Sequence, residues 1–183
     1  GEQLGYHGLW WKCTMFEQSC HVPMIVRVPG QPPRRVSDPV NITDWFPTVC
    51  SYMDVPVPKG LDGQSLRSLI ETGQSNEHRD FAFSEYNCHG MPHGMFMIRW
   101  RQYKYIFYCY DKPQLFDLST DPAEDLSLLD VPIPSPEAMI TAEECHKRLL
   151  SICNPYEVDL RARTFQKKSK EALGIQKYDT DMA

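Results

Sequence analysis

The chain has 183 residues, of which 42% are hydrophobic and 11% aromatic, and its net charge is −5 at pH 7. This composition can fill the core of one domain or of parts of two, which excludes a disordered chain. The acidic balance argues against a nucleic-acid partner, and no apolar run approaches the ~20 residues that cross a membrane.

The first element is predicted close to the first residue, because apolar residues begin at once, with no initiator Met and no targeting segment. The run VPMIVRVPG at 22–30 is short, β-branched and bounded by Pro and Gly. That pattern is typical of a buried strand in a parallel α/β sheet. We therefore expect the sequence to begin inside an α/β domain and to belong to a larger protein.

Two helices are predicted in the next forty residues. Apolar residues recur at helical intervals after Asn41, namely Ile42, Trp45, Phe46, Val49 and Met53. Asn41 or Thr43 can cap this helix, and we favour a capping function over glycosylation of the sequon that Asn41 opens. The run 61–73 then predicts a turn and a short helix that stops at Gly73.

Strand-like patterns replace helical ones near residue 80. The run DFAFSEYN alternates, MFMIRWRQYKYIFYCY predicts a hairpin that turns near Arg101, and PQLFDLSTDPAED predicts another strand followed by a turn. Two cap-plus-proline pairs, at 135–136 and 154–155, predict two C-terminal helices.

The fold class is therefore α/β in two parts. Residues 1–75 are predicted to be the end of a large α/β domain. Residues 76–183 are predicted to form a small antiparallel sheet packed by C-terminal helices.

Seven cysteines lie at positions 13, 20, 50, 88, 109, 145 and 153, with wide spacings and no C-x-x-C pair. An odd number in this pattern does not favour a disulfide framework. We expect reduced, buried thiols, which slightly favours the cytoplasm over the periplasm or secretion.

Three stretches of the sequence carry candidate residues for binding an anion or a substrate. Lys12 stands among aromatic residues, where a lysine is either a surface residue or, if buried beside other cations, a ligand for an oxyanion. Glu85 ends a predicted strand among apolar neighbours, as an edge charge or as a pocket residue. His89 or His93 could face a substrate from the loop YNCHGMPHGM.

A metal site within this chain is not predicted. Cys88, His89 and His93 resemble zinc spacing, but the glycines and the proline between them forbid a helix, and a fourth ligand is missing. The basic stretch 161–177 is interpreted first as a solvated helix face and second as a docking surface for another subunit. The sequence also lacks a nucleophile elbow and a phosphate loop, so no complete active site is present.

The segment GEQLGYHGLWWKCTMFEQSCHVPMIVRVPG resembles the part of type I sulfatases, in the alkaline phosphatase superfamily, that continues an Asp-His-Gly motif. Further landmarks follow in the family's order: VNITDWFPTVCSYMDVPVPKGLDGQSLRSLI, FMIRWRQYKYI and PQLFDLSTDPAED. The tail RLLSICNPYEVDLRARTFQ is similar to that of the choline-sulfatase-like branch. The resemblance covers essentially the whole chain and corresponds to the last third of such an enzyme.

The resemblance implies a function and the groups that perform it. Sulfatases hydrolyse a sulfate ester with a formylglycine, made from a C/S-x-P-x-R motif, and a divalent cation that is usually Ca²⁺. The position that matches Lys12 contacts the sulfate and assists the departing alkoxide. In the choline-sulfatase-like branch, the region that matches Glu85 to Gly90, and with it His89, faces the substrate pocket.

The chain departs from the family in what it lacks, since it contains no C/S-x-P-x-R motif and none of the family's metal-binding aspartates. We therefore expect it to be inactive alone, with the N-terminal part of the same enzyme as its partner and a homo-oligomer as the assembly. Choline sulfate, a sulfated sugar and an aryl sulfate remain open as substrates. A phosphodiesterase or phosphonate monoester hydrolase of the same superfamily, or a non-catalytic oligomerisation module, are the alternatives.

Overall fold

A four-stranded antiparallel sheet is the centre of the computed structural model, which describes residues 1–74, 79–88 and 91–174. The strands follow chain order and comprise β1 (Phe81–Tyr86), β2 (Met95–Trp100), β3 (Tyr103–Tyr108) and β4 (Gln114–Asp117). The predicted hairpin is confirmed, because β2 pairs with β3 from Met95 opposite Tyr108 to Trp100 opposite Tyr103. The small antiparallel sheet with C-terminal helices, as predicted for this part of the fold, is confirmed.

One face of the sheet is covered by the two C-terminal helices, α4 (Pro136–Ile152) and α5 (Pro155–Ala172). Alternate residues of the strands pack against buried residues of these helices, among them Phe96, Ile98, Tyr105, Cys145, Leu149 and Val158. Both predicted caps are confirmed. Ser135 accepts a hydrogen bond from the Ala138 amide at 3.1 Å, and Asn154 accepts one from the Tyr156 amide at 3.1 Å.

The opposite face of the sheet is covered by the N-terminal segment, residues 1–20. This segment contains a 3₁₀ turn (Tyr6–Gly8) and the short helix α1 (Glu17–Cys20). Its buried Met15 packs against Met95, Met97, Ile106 and Phe116 of the strands. The sheet is thus buried on both faces, with the N-terminal segment on one and helices on the other.

The next two helices are α2 (Trp45–Tyr52), preceded by a 3₁₀ turn (Ile42–Asp44), and α3 (Arg67–Thr72). Asn41 occupies the predicted N-cap position, and its amide donates to the Asp44 carboxylate at 2.8 Å. The apolar stripe that predicted α2 is largely exposed, since Ile42, Trp45, Phe46 and Met53 all face solvent in this chain. The buried side of α2 instead holds Pro47, Thr48 and Cys50.

Buried polar groups hold the loop before α3 against α2. The Asp44 carboxylate accepts hydrogen bonds from the Gln64 amide at 2.8 Å and from Arg79 at 3.0 Å. Gly63 fits this contact because a Cβ there would lie 2.0 Å from the Thr43 carbonyl oxygen. The glycine of the DG-x-SL segment is therefore required by close backbone approach.

The prediction of a strand at 22–30 is wrong for the structure of this chain. This stretch belongs to none of the described helices or strands, and Ile25 at its centre is 93% exposed. A strand needs hydrogen-bonding neighbours, and the four described strands pair with one another instead. The boundary between residues 75 and 76 stays a prediction.

The cysteines form no disulfide, and all seven lie among the described residues. Cys50, Cys109 and Cys145 are buried, as expected for thiols used as apolar residues, and burial raises the pKa of Cys109 to about 11. Cys88 is exposed. None of the described helices is both long and apolar enough to cross a bilayer.

Candidate functional site

The segment that carries Lys12 is a compact loop fastened at several points. Gln3 is buried, and its side-chain amide donates to the hydroxyl oxygens of Thr14 at 2.9 Å and Ser19 at 2.7 Å. These bonds connect the start of the segment with its end and draw residues 4–13 out as a loop. The position of Lys12 is therefore set by a folded loop rather than by a loose terminus.

A buried ion cluster fastens this loop to the sheet. Lys104 of β3 is fully buried, and its ammonium lies 2.5 Å from the Glu17 carboxylate and 2.8 Å from that of Glu124. The same ammonium donates to the Met15 carbonyl at 3.1 Å, and Glu124 accepts the Glu17 amide at 2.6 Å. Burial raises the pKa of Glu17, but attraction and hydrogen bonding to Lys104 outweigh it and hold that pKa below its ordinary value of 4.5.

Lys12 itself is exposed and available to a ligand. Its side chain is 69% exposed, and its ammonium lies 3.3 Å from the Glu2 carboxylate. The preceding residues Trp10 and Trp11 are also exposed, at 68% and 77%. Lys12 is therefore a cation on an apolar surface patch of this chain and not a buried lysine.

Cys13 brings this loop to the end of β1. The Tyr86 hydroxyl, on the last residue of β1, donates to the Cys13 sulfur at 3.2 Å. Hydrogen bonding to Cys13, together with desolvation, raises the pKa of Tyr86 to about 12. Since Cys13 follows Lys12 directly, the Lys12 loop lies beside the point where the chain leaves β1.

His93 lies near the same end of the sheet, just before β2. Its Nδ1 is 3.8 Å from the buried Asp159 carboxylate of α5, too far for a hydrogen bond, and its ring meets Tyr110 edge-on at 4.8 Å. Burial raises the pKa of Asp159, but hydrogen bonds from Arg163 and from the Gly94 amide overcome this and lower it. The structure thus places His93 and the neighbours of Lys12 at the same end of the sheet.

Glu85 lies on the other face from the Lys12 loop. It is opposite Phe96 of β2, whose side chain packs into the core under the helices. Tyr86, its neighbour in β1, takes the face toward the N-terminal segment. The structure therefore does not bring Glu85 and Lys12 together. His89 lies outside the described residues.

Tyr86, the residue that meets the Lys12 loop, was not predicted from the sequence. Strand alternation could have indicated it. Phe81, Phe83 and Glu85 share the face that packs under the helices, so Tyr86 faces the opposite side of the sheet. Asp159 was missed because nothing in a helical acidic residue shows which loop its carboxylate reaches.

Among residues 1–74, 79–88 and 91–174, the structure gathers no group of three or more His, Cys, Asp and Glu side chains that could hold a metal ion. The described part of the chain therefore offers no fit for Ca²⁺ of its own. Two cavities of about 620 Å³ each border the stretch 22–40, and neither is lined by Lys12, Glu85 or His93.

The family of N-sulphoglucosamine sulphohydrolase C-terminal regions matches residues 5–152, which is most of the chain. The chain belongs to this family. It is thus a sulfatase C-terminal domain of the alkaline phosphatase superfamily, and the predicted membership in that superfamily is confirmed. Its place in the choline-sulfatase-like branch stays a prediction.

Individual relatives agree with this membership. The sulfatase C-terminal domain is 32% identical to human arylsulfatase K over an alignment of 188 positions. The alignment covers 95% of this chain and 34% of that protein. The chain therefore spans about a third of the length of the curated relatives it matches.

Two solved structures show the same fold. A sulfatase-like protein of Bacteroides thetaiotaomicron matches with a TM-score of 0.69 at 23% identity, over 92% of this chain and 36% of that one. A phosphonate monoester hydrolase of Silicibacter pomeroyi matches with a TM-score of 0.65 at 22% identity, over 82% and 32%. The fold is thus shared by enzymes of both kinds, and it does not distinguish a sulfatase from its nearest alternative.

Proposed function

We propose that this chain is the C-terminal part of an enzyme that hydrolyses a sulfate ester, and that Lys12 binds the sulfate. The family match carries the reaction class. The placement of Lys12 supports its function, because a firmly anchored loop presents an exposed ammonium. The complete enzyme, as named in the experiments below, is this chain together with the N-terminal part.

Lys12 would act on charge in the transition state. When the S–O bond of a sulfate ester breaks, negative charge builds up on the departing oxygen and on the sulfate oxygens. An ammonium placed there stabilises that charge, and it can supply a proton to the departing alkoxide. The Glu2 carboxylate at 3.3 Å would hold the side chain until the sulfate ester, which is also an anion, takes its place.

The nucleophile and the cation would come from outside this chain. A formylglycine there would supply the nucleophile, and Ca²⁺ would supply positive charge toward the sulfate. In this proposal the N-terminal part holds both groups.

The organic part of the substrate would lie at the end of the sheet where β1 ends and β2 begins. His93 lies there, and Glu85 and His89 remain proposed neighbours of the substrate on sequence grounds. The family name points to a sulfated amino sugar, which we favour over choline sulfate and an aryl sulfate.

An unpartnered apolar surface supports the N-terminal part of the same enzyme as the partner. Large side chains are exposed throughout residues 4–57, including Trp10, Trp11, Ile25, Ile42, Phe46 and Met53. Isolated surface apolar residues are ordinary, but a surface rich in them marks an interface. The relatives are about three times as long as the region matched here, which leaves chain enough to cover this surface.

Oligomerisation is a further proposal, and it rests on α5. Leu160 and Phe165 are exposed on this helix beside basic residues. Sedimentation equilibrium of the complete enzyme tests it, and a monomer at all concentrations would contradict it.

Co-expression tests the proposed function. The N-terminal part and residues 1–183 should form a complex that releases inorganic sulfate from p-nitrophenyl sulfate or a sulfated glucosamine, while each part alone should not. Turnover by the N-terminal part alone at the rate of the complex would show that this chain is not needed. If residues 1–183 form a stable monomer that does not bind the N-terminal part, a non-catalytic module would be favoured instead.

A further inference from the structure

Helix α5 holds the connection between β1 and β2 by hydrogen bonds to the residues that leave β1 and to those that enter β2. We call residues 87–88 and 91–94 the connection arms. One arm leaves β1 at Tyr86, which contacts the Lys12 loop through Cys13, and the other enters β2 at Met95. The connection arms therefore continue from a residue that contacts the Lys12 loop.

Asp159 holds the arm that enters β2. Its Oδ1 accepts the Gly94 amide at 2.7 Å, and the carboxylate is 2% exposed. Arg163, one turn further along α5, donates to both carboxylate oxygens at 2.7–2.9 Å and so fixes their orientation. An ionised acceptor with a bidentate guanidinium makes a strong and well-directed bond to the backbone.

Gln166 holds the arm that leaves β1. Its side-chain amide donates to the Asn87 carbonyl, two turns along α5 from Asp159. The two arms also approach each other closely, because a Cβ on Gly94 would lie 2.3 Å from the Asn87 side-chain oxygen and 3.2 Å from Asp159 Oδ1. Helix α5 thus fixes both arms, and no side chain fits between them at Gly94.

The grip leaves polar atoms on the connection arms without partners. His93 Nδ1 and Asn87 Oδ1 are buried and accept or donate no hydrogen bond within the described residues. A buried polar atom without a partner is costly unless something binds it. His93 Nδ1 lies 3.8 Å from the Asp159 carboxylate and Asn87 Oδ1 lies beside Gly94, so both atoms face the closely packed space between the connection arms and α5.

We infer that Asp159 and Gln166 are positioning residues that hold the connection arms and thereby determine which leaving group the enzyme accepts. The inference rests on the proposed function, in which this end of the sheet borders the substrate. Neither residue touches the sulfate. Their effect should therefore appear for a substrate that reaches the connection arms and be missing for one that fills only the sulfate pocket.

Kinetics with two substrates test the inference in the complete enzyme. Asp159→Asn and Gln166→Ala should raise KM for a sulfated glucosamine by about tenfold and change kcat by less than about threefold. KM for p-nitrophenyl sulfate, a small aryl ester, should change by less than about twofold. Gln166→Ala removes a part-buried side chain, so it serves if Asp159→Asn fails to fold.

Asp80→Asn is the matched control. Asp80 also ties β2 to a helix, since it accepts hydrogen bonds from Trp100 at 2.8 Å and from Arg148 of α4 at 3.0 Å. It does so at the opposite end of the sheet, where Phe81 pairs with Trp100. Asp80 is more exposed than Asp159, so this control tests whether loosening β2 from a helix at the other end of the sheet changes substrate preference, and we expect no change.

Hydrogen exchange gives a readout that needs no substrate. The peptide 91–97 should exchange faster in Asp159→Asn than in the wild type or in Asp80→Asn, while peptides of α4 should not change. Unchanged exchange, or an unchanged preference between the two esters, would overturn the inference. A wild-type enzyme that cleaves neither ester would overturn the proposed function, and hydrogen exchange would still decide whether α5 holds the connection arms.

Discussion

Replacing Lys12 with alanine in the complete enzyme should lower kcat for a sulfate ester by about 10²–10³-fold. The loss is expected because the ammonium stabilises charge that develops only in the transition state. Thermal stability should hardly change, since the side chain is 69% exposed and its ion pair with Glu2 is a surface pair. Steady-state kinetics and the unfolding midpoint of the same preparations measure both effects.

Lys147→Ala is the control for this substitution. Lys147 is likewise an exposed lysine with carboxylate partners, Glu143 and Glu144, but it lies on α4. We expect its removal to leave kcat unchanged. Unchanged kcat in Lys12→Ala would remove Lys12 from the site, and an equal loss in both variants would show an unspecific effect of surface charge.

Replacing Lys104 with methionine should lower the free energy of unfolding by about 3–5 kcal/mol. The methionine fills the space but leaves the buried carboxylate of Glu124 and the partly buried one of Glu17 without the Lys104 cation. Urea denaturation measures the loss. The triple variant Lys104→Met, Glu17→Gln, Glu124→Gln should recover part of it, because the two carboxylates left without Lys104 no longer carry charge. A single variant as stable as the wild type would contradict the assignment of this cluster as the anchor of the N-terminal segment.

The same cluster predicts the direction of a pH effect. Lys104 holds the pKa of Glu17 below 4.5, the ordinary value expected in the unfolded chain. A lowered pKa in the folded state stabilises the fold above the unfolded value, and this contribution is lost as the pH falls through the folded value. Acid should therefore destabilise the wild type more steeply than the triple variant in the range below about pH 4.5.

Local sequence patterns predicted most of the C-terminal fold, because its strands pair with strands that are next to them in the sequence. Alternation in DFAFSEYN gives β1, and the two β-rich runs of MFMIRWRQYKYIFYCY give β2 and β3. The cap-plus-proline pairs at Ser135 and Asn154 give the two helices. These signals depend on residues close in sequence, and β1 to β4 pair in chain order.

The run 22–30 could not be predicted in the same way. Its β-branched residues show that it suits burial, but a strand also needs neighbours, and sequence pattern does not show whether they are present. The exposed stripe of α2 has the same explanation, because periodicity identifies an apolar face without identifying what covers it.

The candidate site was predicted only in part. Lys12 came from the family resemblance. Its anchor at Lys104 depends on the packing of the N-terminal segment against β3, and Met15 and Lys104, which meet there, are 89 residues apart in sequence. Alternation alone places Lys104 on the same face as Ile106 and could have suggested a buried charge. It could not have supplied the two glutamates that neutralise it.

The most direct test of the proposed function compares two esters in the complete enzyme. The values of kcat/KM for p-nitrophenyl sulfate and for bis-p-nitrophenyl phosphate should be measured side by side. A sulfatase should prefer the sulfate ester, and Lys12→Ala should reduce its hydrolysis. Dominant cleavage of the phosphate diester would contradict the assignment and identify the enzyme as a phosphodiesterase or phosphonate monoester hydrolase.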